Sequence, residues 1–258
     1  MAQPLFTDFQ CIFFDQRGTG FSKEFLRDPA TFALDLLLSD VTAVLDYFDI
    51  KTATLIGHSW GAMYSLYSCM ADPERFPKAA LLNMGPLDAA MEKATTERLL
   101  EAFSAEDREL WQSLRAHRRL ALDAKDSAMV ADLDQKLMKI RVKAWIHDPR
   151  LRERYLDEHL HDPPADREVN SLIWEAQRGW FSWASLSSTT SSLWLCSGAT
   201  DSVPRSQGDR VALAAPFAKH TVYQECGHIP WFDCRDQFQS DLLQFLRGRP
   251  INTGHLPT

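Results

Sequence analysis

Three residues that together could open a carbonyl bond stand at telling places in this chain: Ser59, Asp201 and His228. Ser59 is the centre of Gly57-His58-Ser59-Trp60-Gly61, which follows the apolar run Leu55-Ile56 and precedes a small-residue, helix-compatible run from Ala62. Strand, sharp turn and helix in that order push a serine hydroxyl out at the top of a sheet, where a base can reach it. The turn is tight, so a Cβ at 57 or at 61 is expected to collide with backbone. Serine alone is a weak nucleophile. It needs a base, and the base needs an acid to fix its tautomer. Asp201 lies just past the buried-looking run Leu193 to Gly198, and His228 just past Thr221-Val222-Tyr223. The order serine, acid, histidine is the one that this turn predicts. The plainer alternatives are that Asp201 caps a helix beginning near Pro204, and that His228 is one of eight histidines that happens to follow a strand.

The elements that must position these residues are legible as periodicities. Residues 11–85 read as strand, helix, strand, helix, strand. Within 31–48, Leu34, Leu37, Leu38, Val41, Val44, Leu45 and Phe48 recur at the spacing of one buried helix face, with Asp28-Pro29 as a start signal. The helix after Ser59 should end near Asp72-Pro73, and Lys78 to Met84 reads as a short buried strand. From Pro86 to about Leu186 charge becomes dense and apolar residues take helical spacing. Ser104 to Asp107 resembles a capping box, Asp148-Pro149 another helix start, and His161 to Pro164 a break. Strands near 193–196 and 220–223 then resume, followed by a helix at about 235–246 with Phe238, Leu242, Phe245 and Leu246 on one side, and a polar tail. The organisation expected is a core of 1–85 and 187–258 with an all-helical cap over 86–186.

Together, Phe14-Asp15-Gln16-Arg17-Gly18-Thr19-Gly20-Phe21-Ser22, Gly57-His58-Ser59-Trp60-Gly61, Asp72-Pro73-Glu74-Arg75, Gly198 to Asp201 and Gly227-His228 make the chain resemble the α/β-hydrolase superfamily. Within it they resemble the proline iminopeptidase-like (prolyl aminopeptidase) serine hydrolases. Related esterases and lactonases share similar strings. The resemblance implies an α/β fold: a mostly parallel sheet flanked by helices, with a helical cap inserted. It implies that Ser59 attacks through an acyl-enzyme, that His228 is the base and Asp201 its orienting acid, and that the backbone N–H of Trp60 serves the oxyanion hole. No cofactor and no metal are implied.

An aminopeptidase must hold a free N-terminal ammonium, and in the family the carboxylates come from the cap. Trp174-Glu175, with Trp180, Phe181 and Trp183 following, is the best match: an acid set among aromatic walls. The bland alternative is an exposed Glu175 and tryptophans that anchor the cap. The substrate expected first is a short peptide or amide with an N-terminal proline or similar small apolar residue; the alternative is a carboxylic ester or lactone. Asp15-Gln16-Arg17-Gly18 reads as a structural turn held by Asp15 and Arg17 in preference to a substrate contact.

One expected part is absent from the sequence. The family's strand and His-Gly-Gly type loop, which supply the other oxyanion donor, should precede Cys11, and no such stretch is present. The reading is an N-terminally truncated chain lacking its first strands, hence a triad that works poorly, a remnant or a non-catalytic scaffold. The alternative is a variant whose remaining strands close the gap.

Composition narrows the partners. The chain has 258 residues, 45% hydrophobic and 24% charged, with a net charge of −7. A mildly acidic chain without a long basic run is a poor nucleic-acid or anionic-membrane binder. A small-molecule or short-peptide substrate is expected; oligomeric state is left open. The five cysteines include no C-x-x-C pair and suggest no disulfide framework, with Cys11 and Cys196 as small core residues. A reducing cytoplasm is the default location. His159 and His161, two apart on a helix, face different ways and suit no metal. The arginines of 115–119 and 150–154 read as solvated faces.

Overall fold

A computed structural model describes residues 5–23, 28–160 and 167–251. The break expected at His161 to Pro164 and the last seven tail residues lie outside them. In chain order the described elements are α1 (Leu34–Tyr47), β1 (Thr54–His58), α2 (Trp60–Ala71), β2 (Lys78–Leu82), α3 (Ala89–Glu101), α4 (Ala105–Asp123), α5 (Ser127–Trp145), α6 (Pro149–His159), α7 (Arg167–Ala176), α8 (Trp183–Leu186), β3 (Ser192–Gly198), α9 (Ser206–Ala214), β4 (Ala218–Tyr223), α10 (Pro230–Asp233) and α11 (Arg235–Leu246).

The four strands form one all-parallel sheet in the order β1-β2-β3-β4, with Thr54 opposite Lys78, Lys78 opposite Ser192 and Leu193 opposite Ala218. Parallel strands are covered on both faces, and alternate side chains must serve different layers. Ala79, Leu81, Leu193 and Leu195 pack with α1, α2 and α9, whereas Ala80, Leu82, Trp194 and Cys196 pack with Phe238, Leu242 and Phe245 of α11. On α1 the buried positions are Leu34, Leu37, Val41 and Leu45, the centre of the face its spacing predicts, while Phe48, expected on that face, is exposed. Asp28 caps the 3-10 turn Pro29–Phe32 just before it by accepting from Ala30 N.

Six helices, α3 to α8, lie between β2 and β3 in the chain, with no strand among the described residues there. Ser104 accepts from Asp107 N to start α4, and Asp148 accepts from Arg150 N to start α6. Helices α4 and α5 share their own apolar cluster, built on Phe103, Trp111, Leu114, Leu133, Leu137 and Ile140. No described helix is long and apolar enough to cross a membrane.

Two expectations fail. Residues 11–14 form no strand. No described strand lies beside them, and an extended segment without a ladder partner has its N–H and C=O groups left to solvent. Phe9 and Cys11 instead lean on the α11 layer, while Phe13 is 66% exposed. Glycine at 61 is also not demanded by space: an added Cβ there meets nothing within 4 Å, whereas at Gly57 it would stand 2.0 Å from Gly61 O.

Candidate active site

Ser59, Asp201 and His228 each sit beyond the carboxyl end of a strand, β1, β3 and β4 in turn, where a parallel sheet gathers its loops. Ser59 follows β1 directly, with φ 54 and ψ −115. A non-glycine residue holds such a conformation, at a cost of about 1–3 kcal/mol, only where its surroundings impose it. They do so here: Ser59 N donates to Leu82 O at 2.9 Å, and Ser59 O accepts from Gly85 N at 3.2 Å and from Ala62 N at 3.1 Å. Its hydroxyl makes no hydrogen bond among the described residues. Trp60 opens α2, and the N–H groups of a first helical turn have no acceptor within the helix.

Asp201 and His228 are brought together. His228 Nδ1 lies 2.9 Å from Asp201 Oδ2 and 3.0 Å from Oδ1, and both side chains are buried. Asp201 also accepts from Asn83 Nδ2 at 2.9 Å and from Val203 N at 3.0 Å. Burial opposes its ionisation; the neighbouring His228 charge, the bonds from His228 and Asn83 and the Val203 N–H overcome that and hold the carboxyl below the usual range. Facing a carboxylate, Nδ1 carries the proton, which leaves Nε2 free to act as a base. Asp201 does not cap α9, whose N-cap is Arg205.

Most of the residues that tie down the loops bearing this pair have no motif around them. Asn83, at φ 43 after β2, also donates to Gly227 O at 2.9 Å. Arg98 of α3 donates to Asp201 O at 3.0 Å and to Ala199 O at 3.3 Å. Asp233 accepts from Gly227 N and from the backbone of His147 and Asp148. His228 N donates to Trp145 O at 2.7 Å, and the Trp145 and His228 rings lie 5.3 Å apart. His58 Nε2 lies 2.8 Å from His228 O. Cys226 and Cys234 flank this loop with sulfurs 2.9 Å apart and no disulfide.

The other expected residues fall into two groups. The Trp60 ring stacks on Tyr64 at 5.9 Å, meets Trp174 at 6.1 Å and donates Nε1–H to Gln16 Oε1 at 2.8 Å. Trp180 packs on Tyr67 at 4.7 Å. Glu175 is not among these aromatics: its side chain is 61% exposed and paired with Arg178 on the same surface. Glutamate and tryptophan adjacent on a helix point about 100° apart, so Trp174 turns inward as Glu175 turns out. In the Asp15–Gly18 turn, Arg17 grips Asp40 with two bonds of 2.6 Å and Asp15 accepts from Phe21 N, the structural reading, while Gln16 reaches Trp60.

Comparison with known proteins gives a family match and fold matches. Residues 1–233 match the family model described as alpha/beta hydrolase fold. A protein of Caulobacter sp. (strain K31) whose given name, RutD, is that of a carbamate hydrolase is 31% identical over 81 residues, 31% of this chain and 30% of that protein. Epoxide hydrolase 2 of Siraitia grosvenorii is 33% identical over 70 residues, 27% of this chain and 21% of that protein. The matched segments thus span under a third of either relative. Among solved structures, an alpha/beta fold family hydrolase from Bacillus anthracis superposes with a TM-score of 0.70 at 17% identity, covering 91% of this chain and 80% of that one. The meta-cleavage product hydrolase CumD does so with a TM-score of 0.65 at 17% identity, covering 91% and 78%.

Proposed function

This chain belongs to the alpha/beta hydrolase fold family, and on that premise we propose that it is a serine hydrolase working through an acyl-enzyme. The observation that carries the proposal is the Asp201–His228 pair at 2.9 Å beyond β3 and β4, together with a serine held at φ 54 beyond β1. Ser59 Oγ attacks the carbonyl carbon, and His228 Nε2 takes its proton and then gives it to the leaving group. Asp201 keeps the imidazole tautomer and stabilises the imidazolium. The Trp60 N–H donates to the developing oxyanion. Water repeats the sequence on the acyl-enzyme and releases the acid.

Of the substrate classes, a carboxylic ester or lactone fits better than a peptide with an N-terminal proline. Selection for a free ammonium needs a carboxylate at the substrate, and Glu175 is exposed and already paired with Arg178. The tryptophan-lined surface around Trp60 and Trp174 suits an apolar acyl group. The helices between β2 and β3 are then the cap of the site.

The test is a fluorophosphonate label on wild type, Ser59→Ala and His228→Gln, followed by turnover of short p-nitrophenyl esters and proline naphthylamide. Labelling should vanish in Ser59→Ala, and ester turnover should exceed naphthylamide turnover. Equal labelling of wild type and Ser59→Ala sinks the serine mechanism. Labelling without turnover of either substrate supports the reading of a catalytically poor remnant.

A further inference from the structure

The arginines of α4 look like a solvated face in sequence, but two of the helix's neighbours alter that picture. Arg115, Arg118 and Arg119 of α4 and Arg141 of α5 converge on one cavity of about 460 Å³ between α3, α4 and α5. Its remaining wall is almost wholly apolar, with Leu99, Leu100, Trp111 and Leu137 among the lining side chains, and no carboxylate lines it. Four guanidiniums on one cavity is a local excess of positive charge in a chain whose net charge is −7.

Arg141 is the informative residue. Its guanidinium lies between two indoles, 5.3 Å from the Trp111 ring and 5.2 Å from that of Trp145. It makes no hydrogen bond or ion pair among the described residues. Burial lowers its proton affinity; Asp134 opposes that, and repulsion from Arg115 and Arg118 adds to it. Arg118 gives its Nε–H to Asp134 at 2.6 Å, while its Nη2 is buried without an acceptor. Buried donors without acceptors are costly, and a guanidinium gains most from a planar, two-oxygen anion. Indole faces hold Arg141 in place but satisfy none of its N–H groups.

We propose that this cavity is a binding site for an organic carboxylate with an apolar body, its head on Arg141 and Arg118 and its body against the leucines and Trp111. Arg115 and Arg119 at the rim steer the anion in. A free phosphate would use the guanidiniums but leave the apolar wall wet; a neutral alkyl chain would use the wall and leave the guanidiniums unpaired. No residue of the candidate catalytic triad lines the cavity, so the site is separate from Ser59. It is nevertheless only one side chain away, because the Trp145 ring that Arg141 rests on also lies against His228.

The experiment is calorimetric titration of the intact chain with octanoate, octanol and inorganic phosphate, which needs no catalytic activity. Octanoate should bind about tenfold or more tightly than either of the others. Arg141→Met should weaken octanoate by about tenfold or more while leaving octanol little changed. If that variant melts early because its indole partners lose their cation, the exposed double variant Arg115→Gln/Arg119→Gln decides, with a weaker octanoate affinity and a flatter salt dependence expected. Octanol equal to octanoate, phosphate equal to octanoate, no octanoate binding, or both variants binding octanoate as wild type would each overturn the proposal.

Discussion

His58 and His228 are hydrogen-bonded to one another, the ring Nε2 of the first lying 2.8 Å from the backbone carbonyl of the second. The residue before the candidate nucleophile therefore holds the loop of the candidate base. A carbonyl oxygen only accepts, so His58 donates and its Nε2 carries the proton. Burial and the nearby His228 push its pKa down to about 3.

The first prediction follows from that value. A histidine ordinarily titrates near pH 6.5. In the unfolded chain His58 takes a proton as pH falls below about 6.5, while in the folded chain it stays neutral to about 3. Unfolding then binds the extra proton, so stability falls with pH across that window. Asp201, also depressed in the folded state, acts in the same direction at the acidic end, its stabilisation being lost as pH falls through its folded pKa. Melting at pH 7 and pH 4.5 should show a larger loss in wild type than in His58→Gln, which keeps an N–H donor but does not titrate. Equal losses would show that His58 does not carry the acid sensitivity.

The second concerns Asp201 and its support. Asp201→Asn should leave the fold intact and lower ester turnover by roughly 10⁴, because an amide no longer enforces the Nδ1–H tautomer. Asn83→Ala strips one donor from Asp201 and one from Gly227 O. It should destabilise the fold by about 1–3 kcal/mol and move the acidic limb of the rate profile upward. A rate profile unmoved by Asn83→Ala would mean that Asn83 only fastens the loop.

The third separates the two glycines of the turn. Gly57→Ala forces a Cβ against Gly61 O and should cost about 3 kcal/mol or more. Gly61→Ala enters open space in the first turn of α2 and should be neutral or stabilising by up to about 1 kcal/mol. Urea unfolding of both measures this, and similar losses would contradict the placement of the turn.

The fourth is redox. Cys226 is buried and its neighbour Cys234 is partly exposed, with sulfurs 2.9 Å apart. Dilute hydrogen peroxide should join them: two thiols give one disulfide, and the peroxide is reduced to two waters. Peptide mapping should find a 226–234 link that forms ahead of oxidation at Cys69 and Cys196, which are buried. Random oxidation across the five cysteines would refute the pairing.

The local elements were legible from residue order because their causes are local. Period 3.6 marked α1 and α11, Ser104 and Asp148 marked helix starts, and β-rich runs ending before Ser59, Asp201 and His228 marked three strand ends. The strand expected at 11–14 does not form, because a strand is half of a pair and its partner is not written in its own residues.

What the sequence by itself determined is the chemistry available: which residue types stand at strand ends, and in what order. What only the tertiary structure decided is which distant groups share that chemistry. Asn83 reaches Asp201 because β2 and β3 pair in register, with Leu82 opposite Cys196. Arg98 and Trp145 reach the Asp201 and His228 loops from α3 and α5, across gaps in sequence that no local pattern spans. Glu175 went the other way: its neighbours in sequence are aromatic, but one step along a helix turned it to solvent. Sequence adjacency fixes covalent distance only, whereas the approach of side chains is set by the packing of whole elements against the sheet.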